Sequence, residues 1–204
     1  MLRRVFFSKT TVYVASICSI LMFVMCIIYN PASNPLGQYD FFDIAVRTAL
    51  ILLLCWAYMK LNLLALQAGC TALLIALAYY QANYVLEGLM SLQTESFIIM
   101  GFWGSFFLAT ELMILILECI IAINHFVINV LMKQNKLRVS VNQALLVILM
   151  AFLLLLLFEI SKLPLDAEIT RYMLFYCIGL IANYVLVSCA ELVILIDTGI
   201  GGAK

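Results

Sequence analysis

The sequence predicts an all-α integral membrane protein, a polytopic bundle of six transmembrane helices with both termini on the inner side. Three observations carry this prediction. Hydrophobic residues make up 67% of the chain and charged residues 11%, whereas a soluble domain is about 45–50% apolar and about 25% charged. The apolar runs approach or exceed the roughly 20 residues that cross a bilayer. Basic residues are concentrated in alternate connecting segments, although the segment at residues 161–171 is mixed and carries Lys162 and Arg171 beside acidic residues.

The predicted spans are apolar runs bounded by polar segments, and they are helices because backbone groups find no water partners in lipid. Within one transmembrane domain over residues 1–204 they cover residues 11–29, 44–59, 61–80, 97–132, 141–159 and 172–196. No proline or turn cluster interrupts the fourth span. As a continuous helix it measures about 54 Å, against a hydrocarbon core of about 30 Å, so we predict a long, tilted helix.

The charges of the connecting segments predict the orientation, because cytoplasmic segments carry an excess of Lys and Arg. Residues 30–43 and 81–96 contain acidic side chains and no basic ones, and we expect ordered turns in the first of these from its two Asn-Pro pairs. Arg47 lies one turn inside the second span, where we expect it to reach back to Asp43. The basic residues on the predicted inner side are Arg3, Arg4, Lys9, Lys60, Lys133, Lys136 and Arg138.

Carboxylates inside the predicted spans are the main functional signal, because a charge at bilayer depth costs at least a few kcal/mol. Glu111, Glu118 and His125 recur every seven residues. This spacing returns to within about 20° of the same helix face and predicts a polar stripe, which Asn129 extends. Glu191 lies near the inner end of the sixth span. These residues are candidates for a proton or cation pathway, for structural hydrogen bonding between helices, or, for Glu191, for reaching the inner surface.

Several functional classes have no sequence signal. Nucleotide-binding glycine motifs and hydrolase motifs are absent, so no catalytic residue is assigned. The single histidine and the unclustered cysteines do not fit a metal site, and no cofactor is predicted. All seven cysteines fall inside spans, where we expect small buried side chains. The net charge is zero and gives no reason to expect nucleic-acid binding.

Residues 159–166 read Glu-Ile-Ser-Lys-Leu-Pro-Leu-Asp. They resemble the E-x-x-R-x-P-F-D element of the quinone-site membrane subunit of respiratory complex I and of energy-converting hydrogenases. Four residues match the spacing, while lysine replaces the arginine and leucine the phenylalanine. The segments around Glu118 and Glu191 are similar to the glutamate-bearing helices of the small antiporter-like subunit. The resemblance implies a subunit of a respiratory-type complex in a bacterial or organellar inner membrane. The matching residues are Glu159, Lys162, Pro164 and Asp166.

Three functions are compatible with these observations. The favoured one is a subunit of a larger membrane complex that contributes to proton or cation translocation, with the bilayer and other membrane subunits as partners. The extramembrane segments of the chain are too short to hold a soluble catalytic domain, which favours a subunit that acts with partners. The first alternative is the six-helix substrate-binding component of a vitamin importer, and the second is a purely structural or assembly subunit.

Overall fold

The computed structural model describes residues 9–29, 37–60, 62–91, 95–127, 136–162 and 168–195. All the regular structure in these ranges is helical, which confirms the predicted all-α class. The six helices are α1 (Lys9–Ile28), α2 (Gly37–Lys60), α3 (Leu63–Ser91), α4 (Glu95–Phe126), α5 (Lys136–Ile160) and α6 (Glu168–Leu195).

Five of the helices, judged on the described residues, contain a stretch long and apolar enough to cross a membrane. The remaining helix, α2, carries Arg47 and Lys60, and its crossing stays a prediction. Large apolar side chains cover the outside of the bundle, as lipid contact requires. The protein is therefore a multi-pass helical membrane protein. The five stretches are Lys9–Ile28, Leu63–Asn83, Ala109–Phe126, Val141–Ile160 and Arg171–Val193.

Helix α6 occupies the centre of the bundle. Each helix packs against the next one along the chain, and α6 closes the ring by packing against α1. It also contacts α2 and α3. Of the residues in its membrane-spanning stretch, 61% are buried, against 28–39% in the other four stretches. The side chains of α6 therefore pack against most of the other helices.

Several helices are longer than the predicted spans, most of all at the end of α3 and at the start of α2. Residues 81–96 do not form a long loop, because α3 continues to Ser91 and α4 begins at Glu95. The turns expected in residues 30–43 are replaced by helix from Gly37 onward. In both places polar residues mark the edge of the apolar run, but a helix continues past that edge where no proline stops it. Helix α4 is unbroken to Phe126, and residues 128–132 of the predicted long span lie outside the described residues.

Asn62 fixes the turn between α2 and α3. Its side-chain Oδ1 accepts a hydrogen bond from the backbone N–H of Ala65 at 3.1 Å. Its own N–H donates to the carbonyl of Ala57 at 2.9 Å. An asparagine at this position satisfies an N–H group that the first turn of a helix leaves without a partner. The cap allows α3 to begin almost directly after α2 ends, so the two helices are antiparallel neighbours.

The contact between α1 and α6 is close because of Gly179. A Cβ atom at this position would lie 3.2 Å from Cζ of Phe23 and 3.4 Å from Cβ of Met22. Nearby, the hydroxyl of Ser19 donates to Oδ1 of Asn183 at 2.7 Å. Small residues allow helices to approach closely in membranes, and interhelical hydrogen bonds add to that packing. This interface sets the position of the polar face of α6.

Candidate functional site

Polar side chains on α6 join two buried groups of residues from other helices. The central cluster comprises two hydrogen-bonded pairs, Arg47 with Tyr176 and Glu118 with Tyr184, whose tyrosines are eight residues apart on α6. The inner cluster, named after the side on which the basic residues are expected to place it, comprises Asn124, His125, Asn142, Gln143, Ser188 and Glu191.

Glu191 is the hub of the inner cluster, and only 5% of it is exposed. Its Oε1 lies 2.9 Å from Nδ1 of His125 and also accepts a hydrogen bond from Nδ2 of Asn142. Its Oε2 accepts a hydrogen bond from Nε2 of Gln143 at 2.8 Å. The carboxylate is therefore held by α4 and α5, and its burial contradicts the alternative in which Glu191 reaches the inner surface. A buried carboxylate requires such hydrogen-bond donors.

The donors around Glu191 are themselves held in place. The hydroxyl of Ser188 donates to Oε1 of Gln143 at 2.6 Å. Nδ2 of Asn124 donates to Oδ1 of Asn142 at 3.2 Å. A polar network in the interior is stable when its members are satisfied in this way. The network ties the C-terminal ends of α4 and α6 to the beginning of α5.

Glu118 belongs to the central cluster and is completely buried. The hydroxyl of Tyr184 donates to its Oε1. Its Oε2 has no hydrogen-bond partner among the described residues. The cost of a charge in lipid predicts that Glu118 faces protein or water and not lipid, and its complete burial agrees with this expectation. A carboxylate with one free oxygen in the interior is costly, and such groups in membrane proteins commonly serve function.

Arg47 is also completely buried and lies among three aromatic rings. Its guanidinium carbon is 4.9 Å from the ring centre of Phe23, 5.0 Å from that of Tyr80 and 5.4 Å from that of Tyr176. One guanidinium nitrogen donates to the Tyr176 hydroxyl at 3.3 Å. The rings come from α1, α3 and α6, and each attracts the cation through its negative face. The expected contact with Asp43 stays a prediction, because that side chain lies outside the described ones.

Only part of the seven-residue stripe on α4 takes part in the two clusters. Glu118 and His125 both turn towards α6, where their partners Tyr184 and Glu191 are also seven residues apart. Glu111 is half-buried and lies outside both clusters, with its backbone oxygen 3.5 Å from Nε2 of Gln81. Asn129, the expected extension of the stripe, lies outside the described residues.

We use the term α4–α6 seam for the strip between these two helices that holds both clusters. Helix α6 packs against α1, α2, α3 and α5, and polar side chains link it to α4 in two places, Tyr184 with Glu118 and Glu191 with His125. Parallel helices that are joined in this way leave their polar groups facing each other. The seam therefore brings two carboxylates, an imidazole and a phenol into one line across the bundle.

The motif at residues 159–166 is described only in its first half. Nζ of Lys162 lies 2.7 Å from Oε1 of Glu159, and it also lies 4.3 Å from the ring centre of Phe158. Pro164 and Asp166 lie outside the described residues. The described part is an ion pair at the end of α5, remote in sequence from both clusters.

Metal and cysteine chemistry have little support in the described part of the chain. It contains no group of three or more His, Cys, Asp or Glu side chains able to hold a metal ion. All seven cysteines are free thiols. Cys26, Cys70, Cys177 and Cys189 are buried as expected, but Cys119 is exposed on the outside of α4.

Sequence reasoning missed several members of the clusters. Asn142 and Gln143 are consecutive amides just inside an apolar span, and that position is a usable signal because amides are costly in lipid. Tyr184 carries no such signal, since tyrosines are frequent in this chain and only the fold places its hydroxyl against Glu118. Comparisons of the chain with protein-family models, with curated proteins and with solved structures give no match.

Proposed function

We propose that this membrane protein moves protons along the α4–α6 seam, as a subunit of a larger membrane assembly. One observation carries the proposal: two buried carboxylates on facing helices each contact a partner that exchanges protons. Glu118 accepts a hydrogen bond from the phenol of Tyr184, and Glu191 contacts the imidazole of His125. Chains of Glu and His within membranes are typical of proton relays in pumps and transporters.

The spacing along α6 supports a path between the two carboxylates. Tyr184 and Glu191 are seven residues apart, which is about 10.5 Å along a helix. Ser188 lies between them, one turn from each, and its hydroxyl already takes part in the inner cluster. A hydroxyl both donates and accepts, so it passes a proton onward without holding a charge. Water entering the seam during function completes the remaining steps in this proposal.

The surroundings of Glu191 favour protons over metal cations as the transported species. Its oxygens face N–H groups of Asn142 and Gln143 and a nitrogen of His125. Sodium, calcium and magnesium ions are bound by converging oxygen atoms, and these N–H groups occupy the positions where such ligands would be needed. An imidazole beside a carboxylate, in contrast, is a combination typical of proton relays within membranes.

A structural role is the second candidate, because the inner cluster is satisfied by its own members. Both oxygens of Glu191 have partners, and these partners connect α4, α5 and α6. Such hydrogen bonds stabilise membrane bundles by about 0.6–1.7 kcal/mol each. Membership of a larger assembly in a bacterial or organellar inner membrane rests on the resemblance of residues 159–166.

The test is proton flux through the purified protein. The protein is isolated in mild detergent with the chains that accompany it and reconstituted into liposomes that contain a pH-sensitive dye. A potassium gradient with valinomycin then supplies the driving potential. We expect Glu118→Gln to reduce the flux at least tenfold while the assembly still forms. Glu95→Gln makes the same substitution at the start of the same helix, away from both clusters, and should retain the flux.

The outcomes separate the candidates. Loss of flux in Glu118→Gln with intact assembly and an unchanged unfolding temperature supports the relay. Unchanged flux excludes Glu118 from a relay and leaves Glu191 as the remaining carboxylate of the seam. Loss of flux that always accompanies loss of assembly supports the structural role. Absence of flux in the wild-type assembly rules out proton movement through this protein.

A further inference from the structure

Gln143 on α5 connects two side chains of the inner cluster that both belong to α6. Its Oε1 accepts a hydrogen bond from the hydroxyl of Ser188 at 2.6 Å, and its Nε2 donates to Oε2 of Glu191 at 2.8 Å. Ser188 and Glu191 are three residues apart, so they are neighbours on one face of the helix. A single amide therefore bridges the hydroxyl and the carboxylate.

This bridge fixes the direction of the Ser188 hydroxyl. A serine side chain has one hydrogen to donate, and that hydrogen points to the amide oxygen of Gln143. The oxygens of Glu191 face nitrogen atoms instead, those of His125, Asn142 and Gln143. The hydroxyl of Ser188 is consequently not oriented to give its hydrogen to the carboxylate.

An amide joins two groups by hydrogen bonds but does not pass a proton between them. Its oxygen only accepts and its nitrogen only donates, and the side chain is not among those that titrate in proteins. A path from Tyr184 through Ser188 to Glu191 is therefore interrupted while Gln143 is in place. The hydroxyl must turn away from Gln143 before a proton passes.

Helix α5 is positioned so that Gln143 can withdraw. Its membrane-spanning stretch is the least buried of the five, and it packs mainly against α4 and α6. Gln143 is only partly buried, whereas the preceding Asn142 is completely buried and donates to the other oxygen of Glu191. A change of the Gln143 rotamer therefore leaves Glu191 held by Asn142 and His125.

We propose that Gln143 is a positioning residue that gates the α4–α6 seam. With its amide between Ser188 and Glu191 the path is closed, and with the amide withdrawn the hydroxyl is free to serve Glu191 directly or through water. Gln143 acts through these two groups and takes up no proton itself. The gate rests on the proposed function, whereas the bridge rests on the hydrogen bonds alone.

Proton flux into liposomes, driven by a potassium gradient with valinomycin, tests the gate. Gln143→Ala removes both hydrogen bonds and leaves room for water, so we expect the flux to rise about threefold or more. Adding Ser188→Ala should abolish this increase, because the hydroxyl that the gate controls is then missing. Gln81→Ala removes another buried amide, outside both clusters, and should leave the flux unchanged.

The flux results separate a gate from a structural role. A structural role of Gln143 gives a lower flux together with a lower unfolding temperature, and either a lower or an unchanged flux in Gln143→Ala overturns the gate. An increase that persists in the double variant with Ser188→Ala also overturns it. Absence of flux from the wild type and from every variant defeats the proposed function and the gate together, whereas unchanged flux beside a conducting wild type defeats the gate alone.

A double-mutant cycle on thermal unfolding in detergent tests the bridge without any transport. We expect Ser188→Ala to lower the unfolding temperature of the wild type, and to lower that of Gln143→Ala by less than half as much. Contacting residues give such non-additive effects, whereas independent ones add. Additive losses overturn the bridge and the gate with it. If Gln143→Ala yields no folded protein, Gln143→Leu takes its place in both experiments, since leucine keeps most of the volume and has no polar atom.

Discussion

His125 and Glu191 contact each other across the same distance in sequence as Glu118 and Tyr184. Nδ1 of His125 lies 2.9 Å from Oε1 of Glu191, and both pairs are 66 residues apart. Equal offsets mean that α4 and α6 run in the same direction and stay in register over at least two turns. The seven-residue repeat on α4 therefore meets a seven-residue repeat on α6.

Removing the imidazole should weaken the inner cluster. His125→Ala leaves Oε1 of the buried Glu191 carboxylate with fewer hydrogen bonds. We expect a loss of about 1–3 kcal/mol, the usual cost of depriving a buried polar group of a partner. Chemical unfolding in mixed micelles measures it. Lys162→Ala, which breaks a surface ion pair, should cost at most about 1 kcal/mol. Equal losses in the two variants would contradict the prediction.

The Tyr184 hydroxyl should matter only while Glu118 is present. Tyr184→Phe removes the hydrogen bond to Oε1 and leaves the carboxylate less satisfied. We expect a loss of about 1–3 kcal/mol in the wild-type background, and a much smaller one when Glu118→Leu is already present. Thermal unfolding of the four proteins measures this difference. Tyr79→Phe, at an exposed position of α3, is the control and should be neutral. An undiminished loss in the Glu118→Leu background would be inconsistent with the contact.

Replacing Gly179 by a residue with a larger side chain should force α1 away from α6. The ring of Phe23 lies 3.2 Å from the position of the missing Cβ. We expect Gly179→Val to cost about 1–3 kcal/mol through overpacking, and Gly179→Ala to cost less. Ala144→Val adds the same kind of bulk on the exposed side of α5 and should be tolerated. The unfolding temperature in detergent is the measurement, and a stable Gly179→Val protein would show that the interface can expand.

The orientation in the membrane remains to be measured. The distribution of basic residues predicts that residues 33 and 134 lie on opposite sides of the bilayer. Cysteines introduced as Ser33→Cys and Gln134→Cys, in a background without the seven native cysteines, should react with an impermeant maleimide from opposite faces of sealed vesicles. Labelling of both from one face would refute the predicted topology.

The existence of the helices was predictable from the sequence, because a long apolar run indicates a membrane span and a backbone in lipid must form a helix to satisfy its hydrogen bonds. The first span, predicted at residues 11–29, corresponds closely to Lys9–Ile28, and α4 is continuous to Phe126. The start of α2 and the end of α3 were not predictable in the same way. Polar residues end an apolar run, yet they do not end a helix that extends into the headgroup region.

Contacts between helices were predictable only in part. The burial of Glu118 follows from the cost of a charge in lipid, and the structure agrees. The cage around Arg47 does not follow, because its rings come from three helices that are distant in sequence. When helices are apolar on all sides, the pattern carries little information on which face turns inward. The pairing of His125 with Glu191 required knowing that α4 and α6 are neighbours.

The central position of α6 has a consequence for biosynthesis. This helix leaves the ribosome after the other five, yet it provides hydrogen-bond partners for Glu118, His125 and Ser19. Until it has been inserted, those side chains lack these contacts, and the first five helices form an incomplete intermediate. A nascent chain stopped before Glu168 is therefore expected to be a substrate for membrane quality control, whereas the finished chain escapes it.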